Sequence, residues 1–216
     1  MIRTGKRKAI TTVKRFISRL FFRGVENTPA RISFYVFVFI VSIPLIYLFG
    51  IEQMRFFTVP SRSMAPGIVP GDYLMTMKAP LYYRGDVVVF DDPLEPGAYA
   101  VKRIVGVSGD RVAVRGGALF INGVYASEPY RMEPIDYLMD EYTVSMDEVF
   151  VFGDNSNWSI DSHNWDMDTA ASDEERKGKA SGVPLDSIVG KVHAIYLPLK
   201  RSGKVKSYPL TNVLGE

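Results

Sequence analysis

Cysteine is absent from all 216 residues, which excludes disulfides, a thiol nucleophile and cysteine-ligated metal sites. That absence suits an oxidising compartment without proving one. Histidine occurs twice, at His163 and His193, so a Ser-His-Asp triad or a His-rich metal site would have to use one of them. No internal repeat is present, and no long helical periodicity follows Ile51. Charge is missing altogether from Ser33 to Ile51, which reads SFYVFVFIVSIPLIYLFGI.

Those nineteen residues at helical rise cover about 28 Å, the hydrocarbon thickness of a bilayer. Pro44 is compatible with a membrane helix, which absorbs a kink, and Tyr35 and Tyr47 lie near its ends. A buried core helix of this length would carry some polar residues. A cleaved leader would have a shorter basic lead and small residues after the run, whereas Glu52-Gln53-Met54-Arg55 follow.

The net charge of +2 conceals an asymmetry. Residues 1–32 hold nine of the 26 Lys/Arg and one of the 24 Asp/Glu, Glu26, leaving 17 basic against 23 acidic residues beyond. The positive-inside rule therefore puts residues 1–32 in the cytoplasm and residues 52–216 on the far side of the span at 33–51. Ile10, Val13, Ile17 and Leu20 share one helical face, and Lys14, Arg15, Arg19 and Arg23 the other. This predicts a basic amphipathic segment lying on an anionic phospholipid membrane, with a disordered basic tail as the alternative.

The remainder reads as mostly β. Short apolar runs at Tyr73–Met77, Asp86–Phe90, Val101–Val107, Arg111–Val114, Ala118–Ile121, Glu148–Phe152 and Gly190–Leu197 are punctuated by Gly-Asp, Gly-Gly and Asn-Gly. Asn122-Gly123 predicts a tight hairpin. Residues 108–147 are expected to form a smaller β excursion, and the polar stretch 166–181 an exposed or disordered loop.

Two segments carry candidate chemistry. In Val59-Pro60-Ser61-Arg62-Ser63-Met64-Ala65-Pro66, prolines flank a turn that can present hydroxyls. In Ala100-Val101-Lys102-Arg103-Ile104, strand alternation sends Lys102 and Arg103 to opposite faces, so that one is buried while the other is solvated. A buried lysine loses its charge readily and can then take a serine proton. Taken alone, each segment reads equally as an ordinary Ser-rich turn and a surface Lys-Arg pair. The loop Gly153-Asp154-Asn155-Ser156-Asn157-Trp158-Ser159-Ile160-Asp161-Ser162 lacks the ligand pattern and closing Glu of a calcium loop.

The conjunction is more specific. A span, then Pro60-Ser61-x-Ser63-Met64, Gly71-Asp72, Gly85-Asp86-Val87-Val88, Lys102-Arg103-Ile104-Val105-Gly106, Gly109-Asp110, Gly153-Asp154-Asn155, Asp161-Ser162 and Ile188-Val189-Gly190-Lys191 follow in order. From about Phe57 to about Leu197 the chain resembles the bacterial type I signal peptidases, membrane-anchored serine proteases that cut leader peptides from exported pre-proteins.

The resemblance implies a fold of one N-terminal transmembrane helix and an antiparallel-sheet catalytic domain with a small β subdomain. It implies Ser63 as nucleophile, Lys102 as general base, and an oxyanion hole from Ser61 and the Ser63 backbone N–H. It assigns Ser159 and Asp161 to the support of Lys102, and Arg103 to a structural role. Val59, Met64, Ile68 and Val101 would line a shallow apolar pocket for small side chains. No cofactor or metal is implied. The implied partners are signal peptides and the protein export channel, with no nucleic acid, and the implied location is the bacterial inner membrane. The chain departs from the pattern at His163, where Arg is usual, at Ser156-Asn157, at Ser108 and in the extra residues 166–181. A specialised pilus or conjugation peptidase and an inactive membrane-tethered relative are the alternatives.

Overall fold

The computed structural model describes residues 28–50, 54–165 and 180–210. The basic amphipathic segment and residues 166–179 of the polar insertion lie outside these. The chain divides into two compact units, Met1–Ile51 and Glu52–Glu216.

The first unit contains helix α1 (Thr28–Gly50), which starts earlier than the apolar run because Pro29 is favourable in a first turn. Its stretch Pro29–Tyr47 has mean hydropathy 1.9 and buries none of its side chains within the protein. Apolar residues surround the helix on all sides, as an element immersed in lipid requires.

The second unit is mostly β. Its larger sheet runs β1 (Met54–Thr58), β2 (Tyr73–Met77), β11 (Ile188–Leu197), β3 (Val87–Asp91), β4 (Tyr99–Val107), β9 (Glu148–Phe152) and β10 (Val183–Pro184), with β12 (Gly203–Lys204) pairing beside β11. The smaller sheet runs β7 (Val124–Tyr125), β6 (Ala118–Ile121), β5 (Arg111–Arg115) and β8 (Met139–Thr143). Every described pairing is antiparallel. Asn122 and Gly123 join β6 to β7 with φ of 54° and 79°, the positive pair that a two-residue hairpin demands.

The unbroken apolar run of β3 has a physical cause. Val87 and Val89 enter one core cluster with Val59, Met64, Ile68, Leu74, Val192 and Ile195. Val88 and Phe90 enter another with Ile104, Val151, Trp165 and Ile188. Both faces of the sheet centre are covered, so alternation of apolar and polar residues disappears. A third cluster joins Val112, Val114, Leu119 and Ile121 of the small sheet to Val105, Phe150 and Phe152 of the large one. β4 and β9, at the centre of this arrangement, carry the site.

Candidate active site

Ser63 sits in a loop closed at its neck by Val59, whose N–H donates to Asp72 O (3.0 Å) and whose carbonyl accepts from Gly71 N–H (2.9 Å). Within the loop, Ala65 N–H donates to Arg62 O and Ile68 N–H to Met64 O, each at 3.0 Å. This winding drives Met64 and Ile68 into the core beside Val59, while Ser61 stays exposed. Ser63 is only 6% exposed. Its Oγ lies 3.3 Å from Ser61 Oγ, and its carbonyl accepts from Asn155 N–H at 2.9 Å. Among the described residues its own N–H donates to no protein group.

Lys102 comes from β4, opposite Val88 of β3. The β9 ladder meets β4 only from Arg103 onward, leaving Tyr99–Lys102 unpaired on that edge. Lys102 Nζ donates to Ser159 Oγ at 2.7 Å. Among the described residues it forms no ion pair. Burial holds its amine below the ordinary lysine value, with Asp161 and Asp92 opposing from a distance.

Gly153 allows the two segments to meet. A Cβ there would stand 2.5 Å from Ser63 O and 2.5 Å from Ser159 Oγ, inside the contact distance of both. Its N–H donates to Asp161 Oδ2 at 2.9 Å, and Asp161 is fully buried. Asp161 Oδ1 contacts His163 Nδ1 at 2.6 Å, so histidine at this position still engages the acid. Ser63, Ser159 and Asp161 thus meet at one glycine, with Ser61 joined to them through Ser63 Oγ and Lys102 through Ser159 Oγ. No hydrogen bond joins Ser63 to Lys102 directly.

Arg103 departs from the expectation that one of the two neighbouring cations is solvated. Both are buried, Arg103 at 3% and Lys102 at 6% exposure. Alternation does send them apart, but Arg103 finds a full set of partners inside. It forks onto Asp154 at 2.7 and 2.8 Å, donates to the carbonyls of Gly85 (2.7 Å) and Lys206 (3.1 Å), and lies over the Tyr130 ring at 4.3 Å. It is engaged entirely in holding the fold.

Val59, Met64 and Ile68 are packed together as core, and Val101 is the partly exposed member at their edge. Several contributors were not legible in the sequence. Asn155 holds the Ser63 carbonyl through its backbone, which no side-chain pattern reports. Ser156 Oγ donates to Gly153 O (2.8 Å) and receives Arg131 (2.7 Å), so the unusual Ser156 braces the loop. Ser108 Oγ donates to Glu148 O at 3.3 Å. Among the described residues, no group of three or more His, Asp or Glu could hold a metal ion.

The family model of signal peptidase, peptidase S26, matches residues 31–197. The chain is 36% identical over 133 residues to thylakoidal processing peptidase 1, chloroplastic, of Arabidopsis thaliana, covering 55% of this chain and 38% of that one. It is 31% identical over 163 residues to signal peptidase I of Leptolyngbya laminosa, covering 70% and 72%. It is 28% identical over 175 residues to the probable signal peptidase I-1 of Synechocystis sp., covering 76% and 81%. The chain thus spans little more than a third of the thylakoidal relatives.

Proposed function

The chain belongs to the signal peptidase family S26, and on that premise we propose that it is a membrane-anchored serine endopeptidase that removes signal peptides from exported pre-proteins. The observation that carries the reading is Lys102: a buried lysine with no ion pair among the described residues, its amine oriented by Ser159 within the cluster that holds Ser63.

The reaction is acyl transfer. A neutral amine that donates to Ser159 Oγ keeps its lone pair for the Ser63 proton. Ser63 Oγ attacks the scissile carbonyl, and the oxyanion is received by the Ser63 N–H and the Ser61 hydroxyl. The tetrahedral adduct collapses to an ester as Lys102 returns the proton to the leaving amine. Lys102 then takes a proton from water, which attacks the ester, and returns it to Ser63 Oγ as the acid product leaves. The unpaired edge of β4 at Tyr99–Lys102 offers backbone groups to an extended substrate, which would lie as an added strand. The partly exposed Val101 borders it, where small side chains would fit. Residues 1–32 would lie on the cytoplasmic side of the inner membrane and residues 52–216 outside, with the export channel supplying substrates.

The test is cleavage of a model pre-protein by the detergent-solubilised full chain, Ser63→Ala and Lys102→Ala. Both variants should lose at least about a thousandfold in kcat/KM while remaining folded, since each removes a partner of the nucleophilic step. For the wild type, kcat/KM should rise with pH through the Lys102 midpoint, because only the free amine is a base and burial places that midpoint below the ordinary lysine range. A wild type inactive on varied leader sequences at alkaline pH would transfer the reading to a tethered binding module.

A further inference from the structure

Beside the Ser63 loop lies a cavity of about 140 Å³ that neither Ser63, Lys102 nor Ser159 lines. It is bounded by Ala65, two residues past Ser63, by Asn155, whose N–H holds the Ser63 carbonyl, and by Met132 and Trp158. Met132 is 76% exposed and Trp158 79%, and among the described residues the indole stacks on no other ring. Trp158 ends a single turn of 3-10 helix, Ser156–Trp158, closed by its N–H on Asn155 O at 3.0 Å, and the next residue is Ser159, whose Oγ meets Lys102. Met132 comes from a segment pinned against this turn. Asn157 Oδ1 accepts from Asp136 N–H (3.1 Å), Asn157 Nδ2 donates to Pro134 O (2.9 Å), and Arg131 donates to Ser156 Oγ (2.7 Å). Two large apolar side chains thus stand in water on backbone that is held on both sides of the cavity.

We infer that this cavity is a subsite for the mature side of the cut: it receives an apolar side chain from the first residues after the scissile bond, with Trp158 and Met132 as its specificity-determining walls. This rests on the reading of Ser63 and the β4 edge as the place of cleavage.

The path of the substrate leads there. A leader strand can pair with β4 only along Tyr99–Lys102, because Phe152 of β9 takes the edge from Arg103 onward. The leader half fills that stretch and brings its last carbonyl to Ser63, so the residues that follow leave the sheet where β9 begins. β9 continues into residues 153–158, and the departing chain passes that loop between Ala65 and Trp158. An indole there offers a broad, rigid apolar face at little cost in side-chain entropy, as binding anchors do. The volume falls below the roughly 300–1,000 Å³ of a small-molecule site and suits a single aliphatic side chain. An anionic ligand finds no free cation in the lining, since Arg131 is paired with Glu128, and Asp154 is held by Arg103.

The experiment uses the detergent-solubilised full chain and two tryptophan-free peptides that share a leader half and carry either leucine or alanine at the first positions after the scissile bond. The wild type should favour the leucine peptide by at least about fivefold in kcat/KM, mostly through KM, as for an apolar contact made alike in ground and transition states. In Trp158→Ala that ratio should fall to within about twofold of unity, while Trp158→Phe keeps most of it and Met132→Ala lies between. A ratio taken within one variant cancels any disturbance of the Ser159 turn. A wild-type ratio near unity, or an unchanged ratio in Trp158→Ala, would overturn the inference and leave the peptidase reading in place. Fluorescence of Ser63→Ala supplies a readout that needs no turnover. The chain has two tryptophans and Trp165 is buried, so emission that moves on titration reports Trp158. It should shift to shorter wavelength with the leucine peptide and much less with the alanine one. Emission that neither peptide moves, or that both move alike, overturns the subsite. An inactive wild type would sink the peptidase reading alone, and the titration would still decide the subsite.

Discussion

Burial of Lys102 costs the fold stability. Burial disfavours its ammonium form, so the native state loses stability as pH falls from the ordinary lysine value towards the depressed midpoint, a window in which the unfolded chain binds the proton and the native chain does not, and the loss is complete below that midpoint. Lys102→Met fills similar volume without a charge. It should abolish cleavage and raise Tm by about 2–4 °C for each kcal/mol recovered, with the gain over wild type largest below the Lys102 midpoint. Thermal melts at several pH values check this, and a Tm lowered at neutral pH would contradict it. Gly153→Ala should also impair cleavage but without the gain in stability, leaving most of the fold while pushing the Ser63 turn from Ser159, because the added methyl meets both at 2.5 Å. Loss of kcat by about a hundredfold or more, with a modest change in Tm, is the outcome expected of a misplacement near 1 Å. Legibility at this scale divided cleanly. Ser63 and Lys102 stand in local patterns that are ambiguous alone and are singled out only by the ordered set of motifs around them. The hold of Asn155 on Ser63 and the stacking of His163 on Tyr137 join residues far apart in sequence through a backbone N–H or a ring face, and leave no local trace.

Among the elements, β4 has the most varied duties. Its apolar residues fill cores on both faces, its Lys102 meets Ser159, and its Arg103 locks the strand to Asp154. Arg103→Ala strips a buried carboxylate of its partner and should lower stability by about 3–5 kcal/mol, readable in denaturant titration. Arg103→Lys should recover only part of this, since one ammonium cannot reproduce the fork on Asp154 together with two carbonyl contacts. The strands themselves were largely readable, because β-branched and aromatic runs between Gly-Asp and Asn-Gly turns mark both length and ends. What the runs did not reveal was burial on both faces: only the packed sheet accounts for an arginine retained inside it. The partnership of Gly106 with the small sheet was equally hidden. A Cβ there would meet Val112 Cγ2 at 2.7 Å, so the glycine is a packing requirement rather than a turn.

At the scale of the whole molecule, the two units present different surfaces. α1 exposes Phe37, Phe39 and Ile40 at 64%, 64% and 61%, a surface long and apolar enough to cross a membrane. Val38→Arg, near its centre, should weaken insertion by about 2.5–3.5 kcal/mol and release a measurable fraction of the chain on carbonate extraction. The second unit is closed by residues that no motif singled out. Val205 N–H donates to His193 O (3.0 Å), Lys206 O receives Arg103, Ser207 Oγ donates to Asp86 Oδ1 (2.7 Å) and Leu210 is buried. Tyr208 lies over Arg103 at 5.2 Å and leaves no room for a side chain at Gly85. Lys206 follows Arg103 by 103 residues, so the strand bearing Lys102 is made long before the segment that covers its neighbour. During synthesis, Arg103 stays without its full set of partners until residues 205–210 have been made. A chain halted before that point already carries Ser63, Lys102 and Ser159, yet lacks the Lys206 carbonyl and the Tyr208 ring that close around Arg103, so the domain cannot finish folding in the order in which its strands are made.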